Sequence, residues 1–190
     1  MLQTKPYFQS FEEYLAYDDG TDNLYELFNG ELIEVPPESG SNTQIATFLL
    51  VQFAMLVGFR RVRGHGLELE VRGEPRNRYP DLTIIREEHI QQLTRRNTIR
   101  LSMAPPILVV EVVSPGELQH NRDYLAKRGQ YQDLGIPEYW LIDPQQQMIT
   151  LLQLRDAVYV ESVFRGQYPI RSTQFPDLVL TAEQILSAGE

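Results

Sequence analysis

The sequence predicts an α/β domain (α+β mixed) with a central mixed β-sheet flanked by helices, an N-terminal β-hairpin and a C-terminal antiparallel meander. A central strand is indicated at residues 107–113, which are apolar on both faces and enclosed by Pro105-Pro106 and Pro115-Gly116. Residues 45–56 repeat apolar side chains at three- and four-residue spacing, which predicts a core helix beside that strand. The 190 residues are enough for one well-buried domain, which we expect to span residues 1–190.

Three helix starts carry a capping signal, a Ser or Thr followed three residues later by Glu or Gln. Ser10 is expected to begin a short helix that runs to about residue 17 and covers the core as a lid. Ser41 is expected to begin the long core helix, which ends at Gly58. Thr181 is expected to begin a last short helix near the end of the sequence.

Residues 24–35 predict the hairpin, because two β-prone runs flank Asn29-Gly30, a dipeptide that tolerates the positive φ angles of a type I′ turn. Glu26 and Glu31 lie on its two arms, close to the turn. Charged residues are common at such positions, so side chains facing solvent are the first expectation for both.

The rest of the sequence alternates strands and helices. We expect helices at 87–93 and 121–134 and strands at 67–71, 79–85, 138–143, 148–154 and 158–164. Gly135 closes the second helix, on which Asp123, Lys127 and Tyr131 share one stripe at four-residue spacing. The aromatic residues Tyr139 and Trp140 are expected in the core.

Glu111 lies in the middle of the predicted central strand. Burying an ionised carboxylate costs several kcal/mol unless a cation or a hydrogen-bond network meets it. Two interpretations follow from the strand alone. Either Glu111 lies where the strand emerges and is solvated or paired with an arginine, or it is a metal ligand.

With no cysteine, the chain can form neither a disulfide framework nor a thiolate zinc site. The three histidines, His65, His89 and His120, are too scattered to suggest a histidine-based one. Any metal is therefore expected to be a hard ion held by oxygen. No run approaches the roughly 20 apolar residues of a membrane span, and the first residues lack a signal-peptide pattern, so we expect a cytoplasmic protein without a membrane segment.

The net charge of −9 argues against general adhesion to nucleic acid, but the charge is unevenly distributed. Residues 60–100 contain ten arginines and six acidic residues. These arginines are either solvated positions on loops and strand edges or a surface that faces a polyanion. The candidates for contacting nucleic acid are Arg76, Arg78, Arg95 and Arg96.

Several short motifs together resemble a bacterial family of putative restriction endonucleases, long known as a domain of unknown function. They are Tyr25-Glu-Leu27 with Asn29-Gly-Glu31, Tyr79-Pro-Asp81, Val110-Glu-Val-Val-Ser-Pro115, Asp123 with Lys127 and Tyr131, and Gly135-Ile-Pro-Glu-Tyr-Trp-Leu-Ile-Asp-Pro144. The resemblance covers residues 11–188. The order of elements is also that of restriction-endonuclease-like nucleases, so the resemblance implies a restriction-endonuclease-like core of the PD-(D/E)XK type.

That core implies a magnesium site between two adjacent strands. Asp81 and Glu111 would bind Mg²⁺, with Mn²⁺ as a substitute, and a backbone carbonyl, that of Val112, would complete the protein ligands. These hard oxygen ligands are the ones that magnesium takes. DNA is the implied partner, and formation of a homodimer is left open.

The sequence departs from the pattern at its lysine, because Val113 stands two positions after Glu111. Lys127, on the following helix, is the candidate replacement, held by Asp123 and able to reach back with its long side chain. Tyr131, Glu31 and Glu26 are supporting candidates. In the plainer interpretation, Asp123 and Lys127 form an ordinary surface ion pair.

The function expected from these features is magnesium-dependent hydrolysis of DNA phosphodiester bonds by an endonuclease. The competing class is a non-catalytic module that binds nucleic acid or protein on the same fold. A third class is metal-dependent hydrolysis of another phosphate ester. The fold alone does not decide among the three.

Overall fold

The computed structural model of the protein describes residues 6–114 and 117–190, without the side chains of residues 117–124. The helices in these ranges are α1 (Phe11–Ala16), α2 (Gly40–Val57), α3 (His89–Gln92), α4 (Glu117–Leu134) and α5 (Ala182–Leu186). The strands are β1 (Tyr25–Phe28), β2 (Glu31–Glu34), β3 (Val62–Gly64), β4 (Glu68–Glu70), β5 (Asn77–Arg78), β6 (Leu82–Ile84), β7 (Thr98–Ile99), β8 (Leu108–Val112), β9 (Glu138–Asp143), β10 (Met148–Arg155) and β11 (Val158–Phe164).

The main sheet has the strand order β11-β10-β9-β8-β6-β3. β8 and β9 run parallel, and the other neighbouring pairs run antiparallel, so the sheet is mixed as predicted. The predicted meander is the antiparallel edge β9-β10-β11. All five residues of β8 are buried, as expected of a strand that has neighbours on both sides and a covered face above and below.

The two faces of β8 carry different side chains, because successive residues of a strand point to opposite faces. Leu108, Val110 and Val112 pack in the cluster that contains the buried face of α2. Val109 packs in a second cluster with Tyr131 of α4. Glu111 therefore lies on the α4 side of the sheet.

Helix α2 covers the first face through the buried side chains of Ile45, Leu49 and Phe53. Each such side chain contributes about 1.5–3 kcal/mol when fully buried. By length and composition alone α2 would also suit a membrane span, but a helix with one face packed on a sheet is what a core helix looks like. The expectation of a protein without a membrane segment stays a prediction.

The capping residue of α2 differs from the prediction. Ser39, not Ser41, is the N-cap, and its hydroxyl accepts a hydrogen bond from the Asn42 amide at 3.2 Å. The helix consequently begins two residues earlier than expected. Helix α4 also begins earlier, at Glu117, whereas α5 has the predicted capping box at Thr181.

The predicted hairpin is formed by β1 and β2, and both turn residues have positive φ, 49° at Asn29 and 80° at Gly30. The hairpin is attached to β5, because the Leu27 amide donates to the Asn77 side-chain oxygen at 2.7 Å. Leu27 also packs with Phe8, Phe11 and Tyr14 in a small cluster. Helix α1 is thus more than a lid, since it supplies part of this core.

Candidate active site

Glu111 is 5% exposed, and both of its carboxylate oxygens accept hydrogen bonds from α4. The Lys127 ammonium donates to Oε2 at 2.8 Å, and the Tyr131 hydroxyl donates to Oε1 at 2.5 Å. Lys127 and Tyr131 are four residues apart and so lie on the same face of the helix. The buried carboxylate is met by a lysine and a tyrosine, not by the arginine considered from the sequence.

Asp81 lies directly before β6, the strand that pairs with β8. The antiparallel pairs Leu82↔Val110 and Ile84↔Leu108, continued by one step, place Asp81 opposite Glu111. Asp81 is 6% exposed, and its Oδ2 accepts a hydrogen bond from the Val112 amide at 2.7 Å. The two carboxylates thus lie side by side at the end of the central strands.

The pKa of the Asp81 carboxyl is raised from 3.8 to about 8. Burial is the largest cause, and the negative charge of Glu111 is the second. The Val112 amide acts in the opposite direction, because it stabilises the ionised form. Asp81 is therefore a carboxylate whose charge the surrounding protein does not balance.

Such a site suits a divalent cation held by oxygen. Asp81, Glu111 and the Val112 carbonyl are the oxygen donors that such a cation would use, and the carbonyl also accepts a long contact of 3.4 Å from the Asn42 amide group. The described residues contain no cluster of three or more His, Cys, Asp or Glu side chains around one point. A cation with few protein ligands that keeps several oxygens from water or phosphate is typical of magnesium, so the donor set fits Mg²⁺ or Mn²⁺.

Glu111 and Lys127 line a cavity of about 210 Å³, which we name the catalytic cavity after the role that we propose for it. Residues 33–36, which run from the end of β2 towards α2, and Glu38 contribute to its lining. His65, Arg78 and Tyr79 also line it, together with apolar and aromatic residues that include Val113, Tyr139 and Leu141. The cavity is thus a pocket lined by Glu111, and Asp81 lies behind it, opposite Glu111 in the sheet.

Comparison with known proteins identifies the family. The model of the Uma2 family, described as "Putative restriction endonuclease", matches residues 11–183. The chain belongs to this family. The resemblance predicted from the motifs is thereby confirmed.

A solved structure also matches this protein. It is titled a putative nuclease belonging to DUF820 from Anabaena variabilis ATCC 29413, and it is 18% identical, with a TM-score of 0.68. The match covers 94% of this protein and 98% of the Anabaena chain, so the two share a fold. No curated protein sequence matches the chain significantly.

The two glutamates predicted as supporting residues, Glu26 and Glu31, differ from each other in their surroundings. Glu26 lines the catalytic cavity and accepts hydrogen bonds from Arg78 at 3.1 and 3.2 Å. Burial raises the pKa of Glu26, while the charge of Arg78 lowers it. Glu31 is exposed on β2 and does not line the cavity. The side chain of Asp123 lies outside the described residues.

The four arginines proposed for nucleic-acid contact do not form one exposed surface. Arg78 is 5% exposed and is held inside by Glu26 and by Gln130, to which its Nε donates at 2.8 Å. Arg78 therefore does not lie on an exposed surface, but it lines the catalytic cavity, and its contact with nucleic acid stays a prediction. The other three retain exposed area, but Arg76 lies 3.9 Å from Glu74 and Arg96 lies 3.4 Å from Glu68, whereas Arg95 is exposed.

Three residues near the carboxylates were missed from the sequence. His65 Nδ1 lies 3.9 Å from Asp81 Oδ1. The negative charge of Glu38 contributes to the raised pKa of Asp81, and Glu38 accepts a hydrogen bond at 3.2 Å from Asn42, which is buried. The only local sequence signal for Glu38 as a site residue is its position directly before the α2 cap, and that signal is weak. His65 has no such signal, because the strand before it has only three residues.

Proposed function

We propose that the protein is a magnesium-dependent DNA endonuclease that hydrolyses phosphodiester bonds. The observation that carries the proposal is the adjacent pair of buried carboxylates, Asp81 and Glu111, with the Lys127 ammonium 2.8 Å from Glu111. Membership of the restriction endonuclease family supports phosphodiester hydrolysis, and with it DNA as the substrate.

Asp81, Glu111 and the Val112 carbonyl would hold Mg²⁺, or Mn²⁺ in its place. When bound, the cation supplies stabilisation of charge on the scissile phosphate and lowers the pKa of a coordinated water. The raised pKa of Asp81 supports a cation at this position, because the ionised Asp81 carboxylate would be stabilised by a nearby positive charge.

Lys127 is proposed as the lysine of the active site, moved from the strand to the following helix. Val113 occupies the position that the PD-(D/E)XK pattern gives to lysine, and it packs partly buried against the second core cluster. The Lys127 ammonium instead approaches Glu111 from α4 and borders the catalytic cavity. From there it can orient the attacking water and hold a positive charge beside the phosphate.

Tyr131 has a positioning role in this proposal. Its side chain is fully buried, and burial together with the charge of Glu111 raises the pKa of its hydroxyl well above the ordinary value. The hydroxyl therefore stays protonated and donates to Glu111 at neutral pH. This hydrogen bond fixes the carboxylate in one orientation.

The decisive experiment replaces Lys127 with alanine. We expect Lys127→Ala to lose magnesium-dependent cleavage of DNA by about 10²–10⁴-fold, the range for a group that assists proton transfer. Binding of Mn²⁺, measured by titration calorimetry, should be retained, since Asp81 and Glu111 remain. Arg128→Ala is the matched control on the same helix, because Arg128 pairs with Glu161 and does not line the catalytic cavity.

Two outcomes would contradict the proposal in different ways. If Lys127→Ala cleaves DNA as fast as the wild type, Lys127 is not the active-site lysine. If the wild type binds DNA but cleaves no duplex, single-stranded or branched DNA with Mg²⁺ or Mn²⁺, the protein is a binding module on a nuclease fold.

A further inference from the structure

A second cavity, of about 220 Å³, lies beside the catalytic cavity. Four tyrosines contribute to its lining, Tyr14, Tyr17, Tyr25 and Tyr79. Tyr17 is 39% exposed, whereas Tyr14 is buried. Amide, hydroxyl and carboxylate groups fill the remaining wall, among them Asn23 and Asp18.

Tyr79 lies between the two cavities and lines both of them. Its hydroxyl contacts the Tyr14 hydroxyl at 3.0 Å and donates to Glu68 at 3.2 Å, both on the side of the second cavity. The His65 ring, which lines the catalytic cavity, lies 6.4 Å from the Tyr79 ring between centroids. The two spaces are therefore separated by about one side chain.

Neighbouring backbone positions support the same arrangement. Tyr25 lines the second cavity and Glu26 the catalytic cavity, and these two residues are consecutive in β1. His65 and Gly66 are divided between the cavities in the same way. Because successive side chains of a strand point to opposite faces, the two cavities lie close together on opposite sides of the β1 backbone, and Tyr79 borders both of them.

The chemistry of the second cavity suits a nucleobase better than a phosphate. Aromatic rings offer a surface for stacking. Both carboxylate oxygens of Asp19 and of Glu68 already accept hydrogen bonds within the protein, so the edge of a base would meet Asp18 and the amide groups of Asn23 and Asn97. Asp18, Asp19 and Glu68 bring negative charge to the lining, which disfavours a phosphate. The guanidinium of Arg96 already lies against Glu68, at 3.4 Å.

We propose that the substrate is an unpaired DNA strand, whose scissile phosphate enters the catalytic cavity while a neighbouring base occupies the second cavity. This inference rests on the proposed nuclease function and names its substrate class. A base can present its edge to protein groups inside a pocket only when it is not paired with a partner strand. The recessed position of Asp81 and Glu111, 6% and 5% exposed, also favours a narrow single strand over a continuous duplex.

The walls of the two cavities are held in place. The hairpin that contributes Tyr25 and Glu26 is attached to β5 through the Leu27 amide and through a hydrogen bond from the Arg76 amide to the Leu27 carbonyl, 2.8 Å. The Asn77 side chain also donates to the Tyr25 carbonyl at 2.8 Å. The pockets therefore exist before a strand binds, which lowers the ordering cost of binding.

The first test measures affinity for a single-stranded oligonucleotide in EDTA, where no cleavage occurs. Tyr17→Ala should weaken binding about tenfold, the scale of one lost base–aromatic stack. Tyr17→Phe keeps the ring and should bind like the wild type. Tyr168→Ala is the matched control, because Tyr168 is 73% exposed and lines neither cavity. Equal affinities of Tyr17→Ala and the wild type would overturn the proposal.

The second test crosslinks a single strand containing 5-bromodeoxyuridine to the wild type under ultraviolet light and maps the modified residues by mass spectrometry. Crosslinks at Tyr17, Tyr25 or Tyr79 support the proposal. Cleavage of DNA with crosslinks only at other residues overturns it and leaves the nuclease function standing. Crosslinks at these tyrosines without any cleavage support the base pocket and contradict the nuclease function.

Discussion

Two buried acidic residues of the main sheet, Glu138 and Asp81, have opposite surroundings. Glu138 at the start of β9 is fully buried and accepts hydrogen bonds from Trp140, Gln153 and Thr173. Thr173 contributes both its amide, at 3.0 Å, and its hydroxyl, at 3.2 Å. Asp81 accepts one hydrogen bond, from Val112, among the residues that the structure describes, and its neighbour Glu111 repels it.

The difference separates a structural carboxylate from a candidate ligand. Hydrogen-bond donors around Glu138 replace the water that it lost on burial. Asp81 has lost its water without equal replacement, and the pKa of about 8 is the result. Burial alone thus does not mark a functional carboxylate, whereas burial without enough donors does.

The largest expected effect of this difference concerns the cation. Millimolar Mn²⁺ should raise the melting temperature of the wild type, because a cation that binds the folded state stabilises it. Asp81→Ala should lose both this shift and DNA cleavage, the latter by about 10³-fold or more, since several kcal/mol of charge stabilisation disappear. Differential scanning fluorimetry and a cleavage assay measure the two effects.

Glu138→Gln is the control for that experiment, because it changes a buried carboxylate that does not itself line the catalytic cavity. Its melting temperature should still rise with Mn²⁺ by the wild-type amount. Equal shifts for the wild type and Asp81→Ala would show that the cation binds elsewhere.

The next effect is the pH dependence of stability in the metal-free protein. The pKa of Asp81 is about 8 in the folded state and near its ordinary 3.8 in the unfolded chain, so folding favours the protonated form. The stabilisation is present below pH 4 and is lost as the pH rises towards 8. Asp81→Asn removes this titration and should be more stable than the wild type at pH 8, by about 2–4 kcal/mol, but similar at pH 4.

Urea unfolding in EDTA at several pH values measures this difference between Asp81→Asn and the wild type. A difference in unfolding free energy that stays constant from pH 4 to pH 8 would mean that Asp81 is balanced in the fold and that the contrast with Glu138 is mistaken.

The smallest expected effect is a loss of stability, on substitution of the Glu138 carboxylate. Glu138→Gln should destabilise the protein by about 2 kcal/mol at pH 7, because an amide group would face N–H and O–H donors that now contact a carboxylate. Urea unfolding at pH 7 gives the value. A neutral or stabilising substitution there would remove the structural reading of this carboxylate.

Local patterns predicted the elements that frame the site. The apolar run 107–113 with its flanking prolines predicted the central strand β8, and Asn29-Gly30 predicted the hairpin whose two turn residues have positive φ. Glu111 stands out because it is a charged residue in a predicted buried strand, and this signal depends only on near neighbours along the chain. The ligand role of Asp81, by contrast, follows from the resemblance of Tyr79-Pro-Asp81 to the family motif.

Features that depend on distant segments were missed. The sequence does not distinguish an arginine that faces solvent from Arg78, whose partner Glu26 is 52 residues away. It also gave no reason to place His65 beside Asp81, since the antiparallel pairing of β3 and β6 creates that contact. The prediction of Ser41 as the α2 cap was wrong for a different reason, because Ser39, a residue with the same chemistry, stands two positions earlier and is the actual cap.

The antiparallel pairing of β6 with β8 and the packing of α4 on β8 have a consequence for the timing of folding. Asp81, Glu111 and Lys127 come from three segments of the chain, and the hairpin that covers them precedes all three. Contacts between segments so far apart in sequence carry a loop-closure cost and form after local structure. A chain that is still being synthesised, or one that is partly unfolded, therefore contains the residues of the site but not their arrangement. The site is assembled only when the fold is complete.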